Sequence, residues 1–415
     1  MTYEFPAYAP PDSLQGLLQR GRGLGHDRAL QDPAAAAPYV YDCIRREQRW
    51  DSQCDQRALY HARLVRDLGL PLGPILGQLA VDGADGEEAV WRATSVLELL
   101  ALAGSAEARE GLRNYVRDGE HWVHVLESIA GEWPRAWWDD LGDVARERIT
   151  DEEDPLWAHE PWDSFGIERE TGFRPDPLPD AGRDRLDTEQ LLALIAAPGT
   201  TEADKADALR ALAPRGPQPG LIPLVPLLGA GDGKRPLRLV RPALRRLGAQ
   251  AVPAARDWAR DEREWLARLG EEVLAAHPCP EELPMLLGEL ARDEEAGEWC
   301  GPDNTARRLA YLGPLAAEAV PRLRRLVLHT PHTYERADYL QAIDAIEPGG
   351  AQDLYAECLA DCEARTRLLA VAAVHPDAEA LERIVALRDD PMEDPEVRAA
   401  AAERAAGFPD LPDTQ

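Results

Sequence analysis

Lysine is nearly absent from this chain: of 46 basic residues only Lys205 and Lys234 are lysine, a bias read as coding preference rather than function. Positive charge is short as well. The formal charge is −29, divided as −8 over residues 1–150, −8 over 151–187 and −13 over 188–415. A protein that neutralises phosphates needs a basic footprint, so this field repels nucleic acid and anionic membrane and favours a basic or neutral protein partner. No run of 18 or more apolar residues occurs, which argues against a membrane-spanning helix. The opening MTYEFPAYAPPDS has neither a basic n-region nor an apolar h-region, so secretion is not expected. The six cysteines (Cys43, Cys54, Cys279, Cys300, Cys358, Cys362) are scattered through the chain, and reduced thiols in the cytoplasm are the expectation. There is no Gly-rich phosphate loop and no Ser or Cys nucleophile motif, so the chain is read as a non-enzyme without a cofactor.

What is abundant is the material of short helices. Ala, Leu, Glu and Arg dominate, while the 35 prolines and 32 glycines fall mostly between periodic stretches or at their first turns. A helix-turn-helix unit recurs at roughly 27 to 36 residue spacing. It is clear in RPALRRLGAQAVPAARDWA (241–259) and RRLAYLGPLAAEAVPRLRRLV (307–327), where Leu247-Gly248 then Val252-Pro253 matches Leu312-Gly313 then Val320-Pro321. Helix ends at Gly248, Gly313 and Pro348 lie 65 and 35 residues apart, two repeats and one. Each predicted helix has apolar residues three or four apart, a stripe it cannot bury without its neighbours.

These helices resemble HEAT repeats of the bacterial HEAT-like type, the class that includes phycobilisome-lyase-like repeats. The residues that carry the resemblance are the Leu-Gly ends at 247–248 and 312–313, Val252-Pro253, Val320-Pro321 and Ile222-Pro223-Leu224. It covers 188–407 well and 38–150 less cleanly. The block LLQRGRGLG followed by YDCIRREQRWDSQCDQRALYHARLVRDL resembles uncharacterised bacterial HEAT-repeat proteins. The resemblance implies an all-α fold, an α-solenoid of about ten HEAT-like helical hairpins forming a right-handed superhelix with B helices lining its concave face. Protein binding is implied only as a tendency.

The expected organisation is a tail and short helix at 1–37, repeats at 38–150, a connector at 151–187, cleaner repeats at 188–407 and a tail at 408–415. The connector holds twelve acids, four arginines and five prolines, a composition with little helix of its own. Its Trp157, Trp162, Phe165 and Phe173 are anchors that a solvated linker would not need, so it is expected to pack. Pro38 is expected to open a helix, and further helices are predicted over 54–68, 134–148 and 235–247.

Seven of the eleven tryptophans lie between 91 and 162, a concentration that suits either repeat-core packing or a binding hot spot. Trp137 and Trp138 are adjacent, and one helix cannot bury both on one stripe. One of them is therefore expected to be an exposed anchor, with Trp122 and Asp139 beside it. RAWWDDLGDVA (135–145) also resembles the Trp-Trp-Asp helix of HEAT-like DNA-alkylation-repair glycosylases, but one turn on from Trp138 is Gly142, with Asp143 out of register. His121 and His124 stand one turn apart with Glu120 and Glu127 beside them; a metal pair and an ordinary structural pair are both compatible with that spacing, and no metal is assigned. Cys358 and Cys362, at i and i+4, are read as buried free thiols on one helical face. In KRPLRLVRPALRR (234–246), Leu237, Val240, Leu244 and Leu247 form the buried stripe and leave Arg238, Arg241 and Arg245 on another face, solvated or docking something acidic.

The functional expectation is a non-enzymatic scaffold or adaptor that binds a protein through the concave surface, with Arg49, Trp50, Asp51, Arg57, Trp137 and Trp138 as first anchors. An acidic inhibitor or immunity-type protein for a basic toxin or nuclease is the main alternative, and a DNA glycosylase a remote one.

Overall fold

The computed structural model describes residues 8–46, 48–51, 53–55, 57–81, 86–149, 160–167 and 186–407. Among them the chain is helical, with no strand and one isolated bridge between Gly229 and Pro236. Trp157, Phe173 and the 408–415 tail lie outside the described residues.

The repeating punctuation has a direct conformational meaning. Helix Val240–Leu247 ends at Gly248, whose φ of 54° is a left-handed value that a side chain opposes. A 3-10 turn, Gly248–Ala251, follows, and helix Val252–Trp258 then starts with Pro253 in its first turn, where a missing N–H costs nothing. Leu312-Gly313 repeats the device, with φ 55° at Gly313, a 3-10 stretch over Gly313–Ala319 and a helix at Val320–His329. Side-chain caps mark other starts: Ser13 Oγ accepts from Gly16 N at 3.0 Å, and Asp187 and Gln190 form a reciprocal capping box.

Several boundaries differ from expectation. The helix thought to open at Pro38 runs over Pro33–Arg46 and carries Pro38 inside it. The predicted 54–68 helix is shorter, Ala58–Asp67, because the described residues among 48–57 are not helical. Residues 134–148 do not make one helix: two 3-10 turns, Arg135–Trp137 and Asp139–Leu141, precede Gly142–Arg148. The basic helix begins only at Val240, so Arg238 precedes it.

The chain forms two compact units, and one boundary between them, 172/173, falls within 151–187. One comprises 1–172, 291–303 and 320–415; the other comprises 173–290 and 304–319. In the second, Leu191, Ile195, Val225, Val240, Ala251, Leu266 and neighbours form the core, with Trp258 and Trp265 buried against it.

In the first unit a long apolar core runs from Leu18 through Val40, Leu64, Val90, Leu112 and Leu126 to Trp162. Trp162 and Phe165 satisfy the expectation that the connector packs: Trp162 meets Trp122 edge-on at 6.1 Å, and Phe165 meets Trp138 at 5.7 Å. The Trp162 indole N–H donates to Glu127 Oε1 at 2.6 Å.

The same unit brings together segments more than 300 residues apart in sequence, near Gly21 and near Cys362. Gly21 O accepts from Cys362 N at 2.9 Å. A Cβ on Gly21 (φ 61°) would sit 2.4 Å from Cys362 Sγ, and one on Gly23 would sit 2.0 Å from Glu357 O. The GRGLG segment, expected simply to end a helix, is thus where the N-terminal backbone approaches 357–362 too closely for any side chain.

Candidate binding surface and the charged cluster beneath it

The 48–57 loop gathers four predicted site residues and gives them different roles. Asp51 shapes it: Asp51 O accepts from Asp55 N at 2.9 Å, and Asp51 Oδ1 accepts from Gln53 N at 2.8 Å. Arg49 lays its guanidinium over the Trp91 ring at 5.0 Å, and Trp91 is 39% exposed. The half-buried Trp50 donates its indole N–H to Cys300 Sγ at 3.0 Å. Arg57 corrects the expectation of an exposed anchor. It is 2% exposed and donates to Thr333 Oγ1 at 2.6 Å, Pro331 O at 3.2 Å and Cys362 Sγ at 3.2 Å. A guanidinium has five N–H groups to satisfy, and this loop turns it inward to carbonyl, hydroxyl and thiol acceptors.

Beneath the loop is a cluster that sequence reading missed. Asp55 Oδ1 accepts from His332 Nδ1 at 2.9 Å, Thr333 Oγ1 at 3.1 Å and Tyr334 N at 3.0 Å, while Oδ2 accepts from Asp51 N at 2.9 Å. Burial pushes the Asp55 carboxyl up, but the His332 bond, the Arg57 charge and the two backbone N–H groups outweigh it and hold it down at about 2. The other face of His332 turns Nε2 toward Glu335 Oε1 at 3.6 Å. Burial lowers the His332 pKa, yet the bond to Asp55 and the charges of Asp55, Glu335 and Asp51 leave it raised. Glu335 is driven the opposite way from Asp55. Burial and the Asp303 charge lift it to about 7, against hydrogen bonds from Tyr339 and the Gly301 N–H.

A second layer of buried ion pairs continues this seam. Arg336 pairs with Asp361 and donates to Arg20 O at 2.9 Å; Arg22 grips Glu357 with two bonds of 2.7 Å. Arg63 reaches Asp390 and Glu393 at 2.8 Å each, and Glu393 also takes a forked pair from Arg367. One local signal hinted at it. Tyr60 to Val65 are six consecutive buried residues, Arg63 included, so this helix is enclosed on more than one stripe.

An exposed thiol beside a His–Asp pair raises the question of nucleophilic chemistry. Burial lifts the Cys300 pKa and, although the Trp50 N–H lowers it, Glu335, Asp51 and Asp55 lift it further. A reactive thiolate needs the reverse environment.

The tryptophan expectation resolves sharply. Trp138 is 3% exposed, donates to Trp133 O at 3.3 Å and packs on Phe165, and Trp122 is 2% exposed; both are core, not anchors. Trp137 ends the first 3-10 turn and Trp138 lies between the two turns, and Trp137 is left half-buried at the surface. Trp137 stands edge-on to Trp133 at 5.7 Å with Arg109 over its ring at 5.0 Å. Arg113 donates to Trp137 O and makes a forked pair with Asp140 at 2.9 and 2.6 Å. These groups and the exposed Asp139 line a depression of about 470 Å³.

The remaining candidates divide in the same way. Arg238, Arg241 and Arg245 are exposed as expected, Arg241 already forked onto Glu272 at 2.8 and 2.9 Å. His121 sits at the N-cap of helix Trp122–Glu132, and no group of three metal-competent side chains occurs among the described residues. Cys358 and Cys362 do not share a helix, since Gln352–Cys358 ends at the first of them; both are buried free thiols. Among the described residues no helix is long and apolar enough to cross a membrane.

No family model matches the chain, and neither a curated protein nor a solved structure matches it.

Proposed function

We propose that this chain is a HEAT-like α-solenoid that acts as a non-enzymatic, cytoplasmic protein-binding scaffold, with Trp137 as its principal anchor. The observation that carries this reading is the composition of the Trp137 depression. The half-buried Trp137 indole with Arg109 and Arg113, in a cavity of about 470 Å³ also lined by Glu110, Asp139 and Asp140, supplies the Trp and Arg types enriched among residues that dominate binding energy at protein interfaces. Trp137 is held by Trp133 and Arg109 before any partner arrives, so little rotamer freedom remains to be lost on binding. The charge of −29 favours a basic or neutral partner and accelerates its encounter at low salt.

The test is affinity capture from native cytosol with the full chain and with Trp137→Ala, read by mass spectrometry. A partner retained by the parent and lost by the variant, with both unfolding at the same temperature, supports the reading. An unchanged capture profile removes it.

A further inference from the structure

A second depression, on the other side of the helix that carries Arg109 and Arg113, has a different character. It lies between the 73–81 segment and helix Ala106–Asp118 and encloses about 750 Å³, within the range of specific ligand sites. Its floor is apolar: Leu76, Leu79, Val81 and the Tyr115 ring. Val81 is 41% exposed. Its rim carries the exposed carboxylates Asp118 and Glu120.

Two glycines let Leu76 and the Tyr115 ring pack close to the backbone at this depression. A Cβ on Gly111 would lie 2.4 Å from Leu76 Cδ2, so the missing side chain lets Leu76 lie against the helix. A Cβ on Gly119 would lie 2.4 Å from the Tyr115 ring. Arg148 is the one cation among the lining residues, and it is committed: it donates to Val116 O at 2.8 Å and Gly119 O at 2.7 Å, with its guanidinium over Trp122 at 5.0 Å. It cannot swing out to neutralise the rim without giving up both bonds. The groove therefore presents an apolar floor under a negative edge, in a chain whose overall field already draws cations.

We propose that this groove docks a basic amphipathic helix of a partner protein, with leucine-like side chains on the floor and lysine or arginine against Asp118 and Glu120. A helix presents apolar residues at i, i+3, i+4 and i+7 on one side and charges beside them, which is the pattern a lined groove reads. This proposal stands apart from the Trp137 reading and uses none of its residues.

The probe is a synthetic Leu/Lys peptide of roughly 18 residues, long enough to hold a helix once bound, with leucines at i, i+3, i+4 and i+7. A scrambled peptide of the same composition and a Leu/Glu peptide of the same pattern are the controls, titrated calorimetrically into the full chain. The amphipathic basic peptide is expected to bind about tenfold tighter than its scramble, and the acidic one not to bind. The double variant Asp118→Lys, Glu120→Lys should weaken binding about tenfold, and Val81→Asn about fivefold, through the lost apolar contact. Trp137→Ala should leave the affinity unchanged, so failure here and failure of the scaffold reading are read separately. Equal binding of the scramble, or unaltered affinity in Val81→Asn, would show mere attraction to an acidic protein and overturn the proposal.

Discussion

Asp55 and His332 are 277 positions apart in the chain and 2.9 Å apart in the fold. The bond ties the loop that displays Arg49 and Trp50 to the segment that opens helix Arg336–Ile346, and it fixes the charge on Asp55. Because its folded pKa, about 2, lies below the unfolded value near 3.9, Asp55 contributes stability above the unfolded pKa and loses it as pH falls through about 2. Asp55→Asn should destabilise the chain by roughly 2–3 kcal/mol near neutrality. The difference in melting temperature from the parent should shrink steadily between about pH 4 and pH 2. A pH-independent difference would mean that the carboxylate charge is not what the cluster uses.

Glu335 carries the opposite sign. Its folded pKa of about 7 exceeds the unfolded value near 4.3, so the folded state prefers the protonated form and stability falls as pH rises between those values. His332, also raised, adds to the same trend by losing its proton over a neighbouring range. Glu335→Gln keeps an acceptor for the Gly301 N–H without the charge. The variant should gain stability over the parent at about pH 8 and show little difference at about pH 5, by thermal unfolding at each pH. A loss at pH 8 would show that the charged form is the one the fold needs.

Glu393 joins the two parts of the same unit more directly, since it receives both Arg63 and Arg367 while fully buried. Removing the carboxylate charge leaves two enclosed guanidinium groups short of their counter-charge. Glu393→Gln should cost about 3–5 kcal/mol, measured by urea unfolding. The loss should persist at high salt, because ions do not reach a buried pair. A loss under about 1 kcal/mol, or one that salt abolishes, would mean that the seam is hydrated and contributes as a surface bridge does.

These contacts explain which parts of the molecule the sequence discloses. Leu247-Gly248 with Val252-Pro253 announces a helix end and a helix start from local rules alone, and both stand where expected. Trp137 and Trp138 disclose only that one must differ from the other; two 3-10 turns, which no periodicity predicts, decide that Trp138 is the buried one. Arg57 reads as a surface charge because nothing local distinguishes it from Arg49. Its burial depends on Thr333 and Cys362, more than 270 residues away. Long-range closure of this kind leaves no periodic trace, and the buried acids and arginines that make it resemble a solvated helix face.

Trp162 offers a separate test of how the 160–167 stretch is held. It is fully buried, packs edge-on against Trp122 and Phe165 and donates to Glu127. Trp162→Ala should destabilise by about 3–5 kcal/mol through cavity formation, with loss of the indole bond to Glu127. Trp162→Phe, which restores most of the ring but not the N–H, should recover the greater part. Limited proteolysis should cut the Ala variant near 160–167 before the parent is cut anywhere in the Trp122–Glu132 helix. Equal cutting of the two proteins would mean that this tryptophan is not what anchors the stretch.

The cysteines sort into two sets by environment. Cys43, Cys358 and Cys362 are buried, and burial drives the Cys43 and Cys362 thiols up to about 12. Cys279 and Cys300 are exposed and Cys54 is half-exposed. These thiols are raised too: by burial and then Asp51 at Cys54, by Glu281 and Glu282 at Cys279, and by burial and then Glu335 at Cys300. Thiolate is the reacting species, so a disulfide reagent such as dithionitrobenzoate should label three thiols in the folded chain, slowly at about pH 7 and faster as pH rises. The other three should appear only in denaturant. Because Trp50 donates its indole N–H to Cys300, Trp50→Phe should alter the rate at Cys300 while leaving Cys279 unchanged. Labelling of Cys362 in the folded protein would show that the contact of Arg57 with Gly21 and Cys362 opens readily, and with it the closure of the N-terminal segment onto 357–363.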